Sequence, residues 1–215
     1  MRRLRPSGIE TGAMPVRPSA PAPMPESALP PLLRGDLIHR LVAGLPEVAE
    51  AERQAAGLRL LRHAADGVDD AAHQAILAEA LAVLGHAPLA ELFGAGSRAE
   101  VPVIGRIAGA GGEMFAVSGR IDRLVVLPDR ILVADFKTDR VLPSDPAEAG
   151  ESYVSQLAVY GAILSQAFGG RPVEARIIYT AGPRVVPLVP ARMEAALARL
   201  GVTAPSFIAP SVKGA

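Results

Sequence analysis

The sequence contains no cysteine among its 215 residues. Without thiolates the chain cannot form a disulfide, bind zinc through cysteine or hold an iron-sulfur cluster. It also lacks any run of about 18 apolar residues, the length that a membrane-spanning helix requires, so we expect no contact with a membrane. The arginines near the N-terminus are followed by a proline-rich segment and not by the apolar core of a signal peptide. A cytoplasmic location is the expectation that these absences leave.

Net charge is also absent, and lysine is scarce. The 22 basic residues balance 22 acidic ones, so the composition does not indicate a free-standing protein that binds nucleic acid strongly. Lys137 and Lys213 are the only lysines, and the other residues of the basic group are all arginines. Where arginine is the default, a lysine inside a patterned segment indicates a site that needs a compact ammonium group.

Proline is concentrated at the N-terminus, where eight of the 20 prolines lie between residues 1 and 33. This segment has little hydrophobic periodicity, which predicts a disordered proline-rich linker over 1–33. Residues 34–203 are long enough for one domain that buries most of its surface. Residues 204–215 are predicted to be a tail.

Two segments with the period of a β-strand lie in the middle of the chain. Residues 117–122 and 131–137 each alternate between two sets of side chains, which favours two strands. Pro128 and Asp129 between them are typical turn residues. The pattern therefore predicts a hairpin with Pro128 and Asp129 at the centre of its turn.

In this hairpin Asp122 lies directly opposite Asp135. Lys137 shares the face of Asp135 because successive side chains of a strand alternate, so two carboxylates and an ammonium are expected within about 5 to 8 Å of one another. Ile121 and Phe136 should then both point to the other face. Like charges that face each other destabilise a sheet unless a positive group lies between them. A divalent cation is the natural candidate.

The alternative is a solvated hairpin in which Asp135 and Lys137 form an ordinary surface ion pair. However, the second strand is apolar on both faces up to Asp135, which is typical of a buried central strand. A carboxylate without a function is costly in such a place. We therefore favour the cation site.

Four motifs occur in order along the chain. They are Gly35-Asp36-Leu37-Ile38-His39, Gly119-x-x-Asp122, Val133-Ala134-Asp135-Phe136-Lys137-Thr138 and Gln156-x-x-x-Tyr160. Each motif alone is weak, but together they resemble the nuclease core of the PD-(D/E)xK superfamily in its RecB-like branch, and within it the C-terminal nuclease domain of AddA helicase-nuclease subunits. Several RecB-like nucleases, including the AddB partner, carry four cysteines around this core, so their absence favours the AddA side. The resemblance covers roughly residues 35–200.

The resemblance implies both a fold and a site. The fold is α/β and restriction-endonuclease-like, with a mixed central sheet flanked by helices and a helical N-terminal layer. The implied cofactor is Mg²⁺, with Mn²⁺ able to substitute, and no iron-sulfur cluster. The implied metal ligands are His39, Asp122, Asp135 and the backbone carbonyl of Phe136. The implied catalytic residues are Asp122, Asp135, Lys137, Gln156 and Tyr160.

Individual roles follow from the same resemblance. Lys137 would orient the attacking water or stabilise the charge of the transition state, and Gln156 and Tyr160 would position the DNA strand. Glu100 lies at the start of the strand predicted before the hairpin. In the family an acidic residue at this place can approach the metal site. The alternative, which stays open, is a solvated glutamate at the end of a strand. His39 lies on a predicted helix that Asp36 is expected to cap.

The expected function is metal-dependent hydrolysis of DNA phosphodiesters, in exonuclease or endonuclease mode. The chain would be the nuclease part of an AddAB/RecBCD-like helicase-nuclease that acts in double-strand break repair by recombination. The expected partners are DNA, delivered as single strands by a helicase, the AddA helicase region in cis or in trans, and an AddB-like subunit. Two alternatives are a free-standing RecB-like exonuclease and a non-catalytic scaffold module with a nuclease fold.

Overall fold

The computed structural model describes residues 2–4, 6, 29–140 and 149–209. Most of the predicted linker and the end of the predicted tail lie outside the described residues. The domain boundaries therefore stay a prediction.

A layer of helices precedes most of the sheet in the described part of the chain. Its α-helices are α1 (Pro31–Gly44), α2 (Arg53–Ala64) and α3 (Asp70–Leu84), and short 3-10 helices cover Leu45–Glu47, Glu50–Glu52 and Ala87–Phe93. Asp69 caps α3, because its Oδ1 accepts the Ala72 N–H at 2.7 Å. The expected cap at Asp36 is wrong: α1 begins earlier, at Pro31, because proline is well suited to the first position of a helix.

The described residues form one mixed sheet of six strands. The strands are β1 (Arg2–Leu4), β2 (Ser97–Ala108), β3 (Met114–Val126), β4 (Ile131–Lys137), β5 (Val173–Tyr179) and β6 (Arg184–Pro187). Their order is β1-β3-β4-β5-β6, and β2 also pairs with β3. The β4–β5 and β1–β3 pairs are parallel, whereas β2–β3, β3–β4 and β5–β6 are antiparallel.

Helices cover both faces of the central strands. On one face lie α4 (Glu151–Ala167), which connects β4 to β5, and α5 (Pro190–Leu200), and residues such as Val133 pack in this cluster. On the other face, residues such as Ala134 pack against α1, α2 and α3. The expected α/β architecture, with a mixed sheet flanked by helices and a helical N-terminal layer, is confirmed.

Part of the predicted tail packs against the sheet. Phe207, in the predicted tail, is buried, and the residues on either side of it exchange backbone hydrogen bonds with Val173 of β5.

Among the described residues no single helix is long and apolar enough to cross a membrane, although the bent pair Asp70–Leu84 and Ala87–Phe93 meets that test by length and composition together.

The β3–β4 hairpin has the predicted register. The Leu127 N–H donates to the Arg130 carbonyl at 2.9 Å, and the ladder ends at the pair Arg123 and Ala134, one step before Asp122 and Asp135. Further along the same edge of β3, β1 pairs with Phe115–Val117. Between these two partners, residues 118–122 of β3 have no strand beside them on that edge among the described residues. This opening lies next to the predicted site.

One predicted orientation in the hairpin is wrong. Phe136 packs against the N-terminal helices, but Ile121 packs in the cluster formed with α4. The reason is that the alternation of side chains in β3 is interrupted at Asp122, so that Ile121 and Leu124 both face α4. Glu100, which the register of β2 places opposite Asp122, has a φ of 52°. The distortion therefore involves both strands at the same point.

Candidate active site

Three side chains from three different elements converge at the opening beside β3. His39 comes from α1, Glu100 from β2 and Asp122 from β3, and one potential ligand atom of each lies within 4.8 Å of the others. His39 Nδ1 lies 3.5 Å from Asp122 Oδ2. The His39 ring stands edge-on to the Phe136 ring, with a centroid distance of 6.4 Å. Packing on Phe136 thus directs the imidazole towards the two carboxylates.

Glu100 belongs to this cluster, and its backbone is strained. A φ of 52° lies in the left-handed region, which residues other than glycine rarely adopt. This conformation costs on the order of 1 kcal/mol or more of folding free energy. Its carboxylate also pairs with Arg120 Nη1 at 3.2 Å. Of the two placements left open for Glu100, the structure shows the one beside the site. Its function there stays a prediction.

Asp122, in the middle of β3, connects this strand to the end of β4. Its Oδ2 accepts the Phe136 backbone N–H at 2.8 Å, in the place where a backbone ladder bond would otherwise continue. Burial, followed by the negative charge of Asp135, raises the pKa of Asp122 to about 8. Burial likewise lowers the pKa of His39, against the opposing effects of Asp135 and of a hydrogen bond with the Phe136 backbone. The Phe136 main chain, predicted as a ligand, is therefore beside both side chains.

Asp135 is buried beside Lys137. Its Oδ2 forms an ion pair with Lys137 Nζ at 2.6 Å, and no other described group donates to this oxygen. Burial raises the pKa of Asp135, and the charge of Lys137 offsets this only in part. The charge of this buried carboxylate therefore remains unfavourable despite the ion pair, and a further cation beside it would stabilise that charge.

Lys137 is held from three sides. Besides Asp135, its Nζ donates to Gln156 Oε1 at 3.3 Å and lies 4.2 Å from the centre of the Tyr153 ring. The Tyr153 hydroxyl in turn donates to Asp139 Oδ2 at 2.9 Å. Tyr153 was missed by the sequence reasoning. The available signal was its position three residues before Gln156, which places both on one side of a helix.

Tyr160 is hydrogen-bonded to β3 two residues before Asp122. It is fully buried, and its hydroxyl accepts the Arg120 backbone N–H at 3.1 Å. A Cβ on Gly119 would lie 2.5 Å from this hydroxyl, so glycine is required there. Two of the sequence motifs therefore interlock through the contact between Gly119 and Tyr160. In this position Tyr160 supports the strand that carries Asp122.

We expect Gly119→Ala to destabilise the chain by roughly 1–3 kcal/mol, because the methyl group has no room beside Tyr160. Thermal unfolding measures this. Gly44→Ala is the matched control, since a Cβ there meets nothing within 4 Å, and it should leave the midpoint unchanged or raise it slightly. Tyr160→Phe removes the nearest atom and should partly rescue Gly119→Ala. Equal midpoints for Gly119→Ala and the wild type would contradict this packing.

The donor set fits a divalent cation. Carboxylate oxygens, an imidazole nitrogen and a main-chain carbonyl are ligands that Mg²⁺ and Mn²⁺ accept. Asp122 and Asp135 both hold their protons more tightly than usual because burial separates their charges from water. A bound cation reverses this effect and stabilises the ionised forms. The structure brings together His39, Asp122 and Glu100, and the charge of Asp135 acts on both His39 and Asp122. The roles of His39, Asp122 and Asp135 as ligands stay predictions.

The raised pKa of Asp122 predicts how the stability of the metal-free chain depends on pH. The carboxyl loses its proton near pH 4 in the unfolded chain but only near pH 8 in the folded chain. Its stabilising effect is therefore complete below pH 4 and is lost as the pH rises through 8. We expect the thermal midpoint to fall by about 3 °C between pH 7 and pH 9.

Asp122→Asn should remove most of this fall, whereas Asp129→Asn, in the exposed turn of the same hairpin, should not. Mg²⁺ should reverse the trend in the wild type, because a cation binds the ionised carboxylate. Thermal scans at pH 7, 8 and 9, each with EDTA or Mg²⁺, measure both effects. The burial argument fails if the metal-free wild type and Asp122→Asn have the same pH dependence.

Comparison with known proteins gives a family. The family model described as the PD-(D/E)XK nuclease superfamily matches residues 16–202. Similar curated proteins include two that are named as subunits of an ATP-dependent helicase/nuclease. The one from Streptococcus equi subsp. zooepidemicus is 36% identical over 73 residues, and the one from Streptococcus thermophilus is 37% identical over 70 residues. These matches cover 34% and 33% of this chain, and each spans only 6% of the length of the relative.

A solved structure titled "Crystal structure of SSO0001" overlaps with a TM-score of 0.33 and 17% identity, covering 78% of this chain and 82% of that chain. A score this low does not establish a shared fold. The family match is different in kind, since it spans most of the chain and includes all four motifs. On that basis the chain belongs to the PD-(D/E)XK nuclease superfamily.

Proposed function

We propose that this protein hydrolyses DNA phosphodiester bonds with the help of Mg²⁺. The observation that carries the proposal is the convergence of His39, Glu100 and Asp122, whose potential ligand atoms lie within 4.8 Å of one another. The negative charge of buried Asp135 also acts on Asp122. Such a concentration of acids is unfavourable without a cation. Lys137 lies at the same place, at the end of β4.

The chain's own residues have separate tasks in this reaction. When bound, a divalent cation polarises a phosphoryl oxygen and acidifies the attacking water. His39, Asp122, Asp135 and the Phe136 carbonyl would hold it. The Lys137 ammonium is fixed by Asp135, Gln156 and Tyr153, so it can orient the water or neutralise charge that develops on the phosphate. Tyr160 would act through β3, since its hydroxyl is already bound to the Arg120 backbone.

We also propose that the chain acts as part of a larger machine. The curated relatives are named helicase/nuclease subunits, and their similarity to this chain is confined to a small share of their length. A helicase that delivers single strands would explain how a chain without net charge meets its substrate. The proposed setting is an AddAB/RecBCD-like complex in the cytoplasm, with an AddA helicase region and an AddB-like subunit, in double-strand break repair by recombination.

Cleavage by the purified chain tests the proposed reaction. Linear and circular single-stranded DNA are incubated with Mg²⁺, with Mn²⁺ and with EDTA, and circular DNA distinguishes internal cutting from cutting at ends. We expect slow, metal-dependent cleavage that Asp122→Ala abolishes and Asp129→Ala leaves intact. Absence of cleavage with both metals would refute the nuclease proposal and favour the scaffold alternative.

DNA titrations at several salt concentrations test the proposed setting. A chain with few phosphate contacts should bind weakly, and the logarithm of its affinity should depend only shallowly on the logarithm of the salt concentration. Tight binding with a steep salt dependence by this chain alone would favour the free-standing exonuclease.

A further inference from the structure

A carboxylate outside all four motifs lies at the centre of a hydrogen-bond network behind the candidate site. Glu79, on α3, forms an ion pair with Arg34 of α1, and its side chain is only 12% exposed. Its other oxygen, Oε1, accepts the hydroxyl of fully buried Thr180 at 2.5 Å. A largely buried charge is costly unless it is paired and hydrogen-bonded. Both oxygens of Glu79 therefore have a partner from a different element.

The network continues to the backbone that carries Lys137. The Thr180 N–H donates to the Lys137 carbonyl at 2.9 Å, and the Thr180 hydroxyl also lies 3.4 Å from this carbonyl. Arg34 Nη1 donates to the next carbonyl, that of Thr138, at 3.4 Å. Glu79 is thus connected, through Arg34 on one side and Thr180 on the other, to two successive carbonyls at the end of β4.

The same network fixes the helix that carries His39. A Cβ on Gly35 would lie 3.0 Å from Thr138 Oγ1, so α1 passes in contact with the end of β4 at this point. Arg34 is the residue before Gly35. His39 lies four residues after Gly35, and therefore one helical turn away on the same side of α1. Glu79 holds Arg34 and therefore holds α1 in the register that places His39 beside Asp122.

We propose that Glu79 is a positioning residue of the candidate active site. Through Thr180 it fixes the main chain of Lys137, and through Arg34 it fixes the helix of His39, without contact to metal or DNA. This inference rests on the proposed nuclease function. Partners at this remove from the reacting atoms typically contribute about 10- to 100-fold to metal affinity or activity.

Glu91 offers a matched comparison. It also lies in the N-terminal helical layer, on the 3-10 helix Ala87–Phe93, and it pairs with Arg130 at 2.5 Å and Arg176 at 3.5 Å. Arg130 immediately precedes β4, so this second network lies at the end of the strand opposite to Lys137. The two carboxylates thus connect the same layers, but only that of Glu79 is linked to the residues of the candidate site.

The test compares Glu79→Ala, Glu79→Gln, Thr180→Val and Glu91→Ala with the wild type. For each we would measure the thermal midpoint, the exchange rate of the Thr180 amide hydrogen, and kcat and KM for single-stranded DNA with Mg²⁺. We expect Glu79→Ala to lower kcat about 10- to 100-fold with little change in KM. Thr180→Val should also lower kcat, because it removes the hydroxyl that Glu79 accepts.

Glu79→Gln should recover most of kcat, because the amide can still accept a hydrogen bond from Arg34 and donate one to Thr180. Glu91→Ala should lose stability but keep its kcat. At an equal loss of thermal midpoint, the Thr180 amide hydrogen should exchange faster in Glu79→Ala than in Glu91→Ala, because only Glu79 contacts Thr180. If Glu79→Ala does not fold, Glu79→Gln and Thr180→Val carry the comparison with the same readouts.

The two ways of failing are distinct. If the wild type cleaves DNA and Glu79→Ala and Thr180→Val both keep its kcat, the positioning role is wrong and the nuclease proposal stands. The same holds if Glu91→Ala lowers kcat as much as Glu79→Ala, because the effect is then one of general stability. If the wild type cleaves nothing, the nuclease proposal fails and the inference fails with it.

Discussion

Asp135→Asn is expected to abolish metal-dependent cleavage, with a loss of roughly 10³-fold or more, while the chain still folds. Asparagine has nearly the same shape but carries no charge, so it cannot balance a divalent cation in an oxygen-rich site. Folding should tolerate the change, because burial raises the pKa of Asp135 despite its ion pair with Lys137, so the fold disfavours the charge that asparagine removes. Functional sites often reduce stability in this way.

Single-turnover cleavage, calorimetric titration with Mn²⁺ and thermal unfolding together test this expectation. Asp129→Asn is the matched control, since Asp129 lies on the same hairpin with a side chain that is 71% exposed. We expect the control to keep the rate, the metal affinity and the midpoint of the wild type. Cleavage by Asp135→Asn at the wild-type rate would show that the buried carboxylate has no part in metal binding.

The sequence was most informative where a short pattern sets a short-range geometry. A turn at Pro128 and Asp129 determines the register of the hairpin, and the register brings Asp122 to Asp135. The strand period then places Lys137 beside Asp135. These inferences need only the spacing of residues along two neighbouring strands, so one sequence is enough.

The sequence was less informative where the backbone departs from a regular strand. The prediction for Ile121 failed because β2 and β3 are both distorted at Glu100 and Asp122, and a strict alternation cannot anticipate an interruption. A glutamate with a positive φ has no local sequence signal. The placement of Glu100 beside His39 depends on that distortion and was therefore left open.

Contacts between distant elements were also beyond reach. Tyr153 and Glu79 reach the surroundings of Lys137 from α4 and α3, and neither stands in a recognisable motif. Helical spacing could have related Tyr153 to Gln156, but the sequence alone does not show that an aromatic ring faces an ammonium. Such residues become visible only when the helices are packed on the sheet.

The surroundings of Lys137 define what a substitution there must satisfy. Its ammonium is in contact with a carboxylate, an amide oxygen and an aromatic face, and the side chain remains 17% exposed at the opening of the site. An arginine could keep the charge and stack on Tyr153, since guanidinium groups stack well on aromatic rings. A purely structural ion pair should therefore accept arginine.

Lys137→Arg is nevertheless expected to reduce cleavage by about 10²-fold. A catalytic lysine must fit a compact ammonium against a water and a phosphate oxygen. A planar guanidinium cannot take that place without displacing one of them. Lys137→Ala should lose at least as much. The thermal midpoint and the Mn²⁺ affinity of Lys137→Arg should stay close to those of the wild type, since Asp135 keeps a cationic neighbour. Single-turnover rates at saturating metal separate chemistry from metal binding. If Lys137→Arg cleaves at the wild-type rate, Lys137 serves only as the ion-pair partner of Asp135, and the water must be oriented by another group.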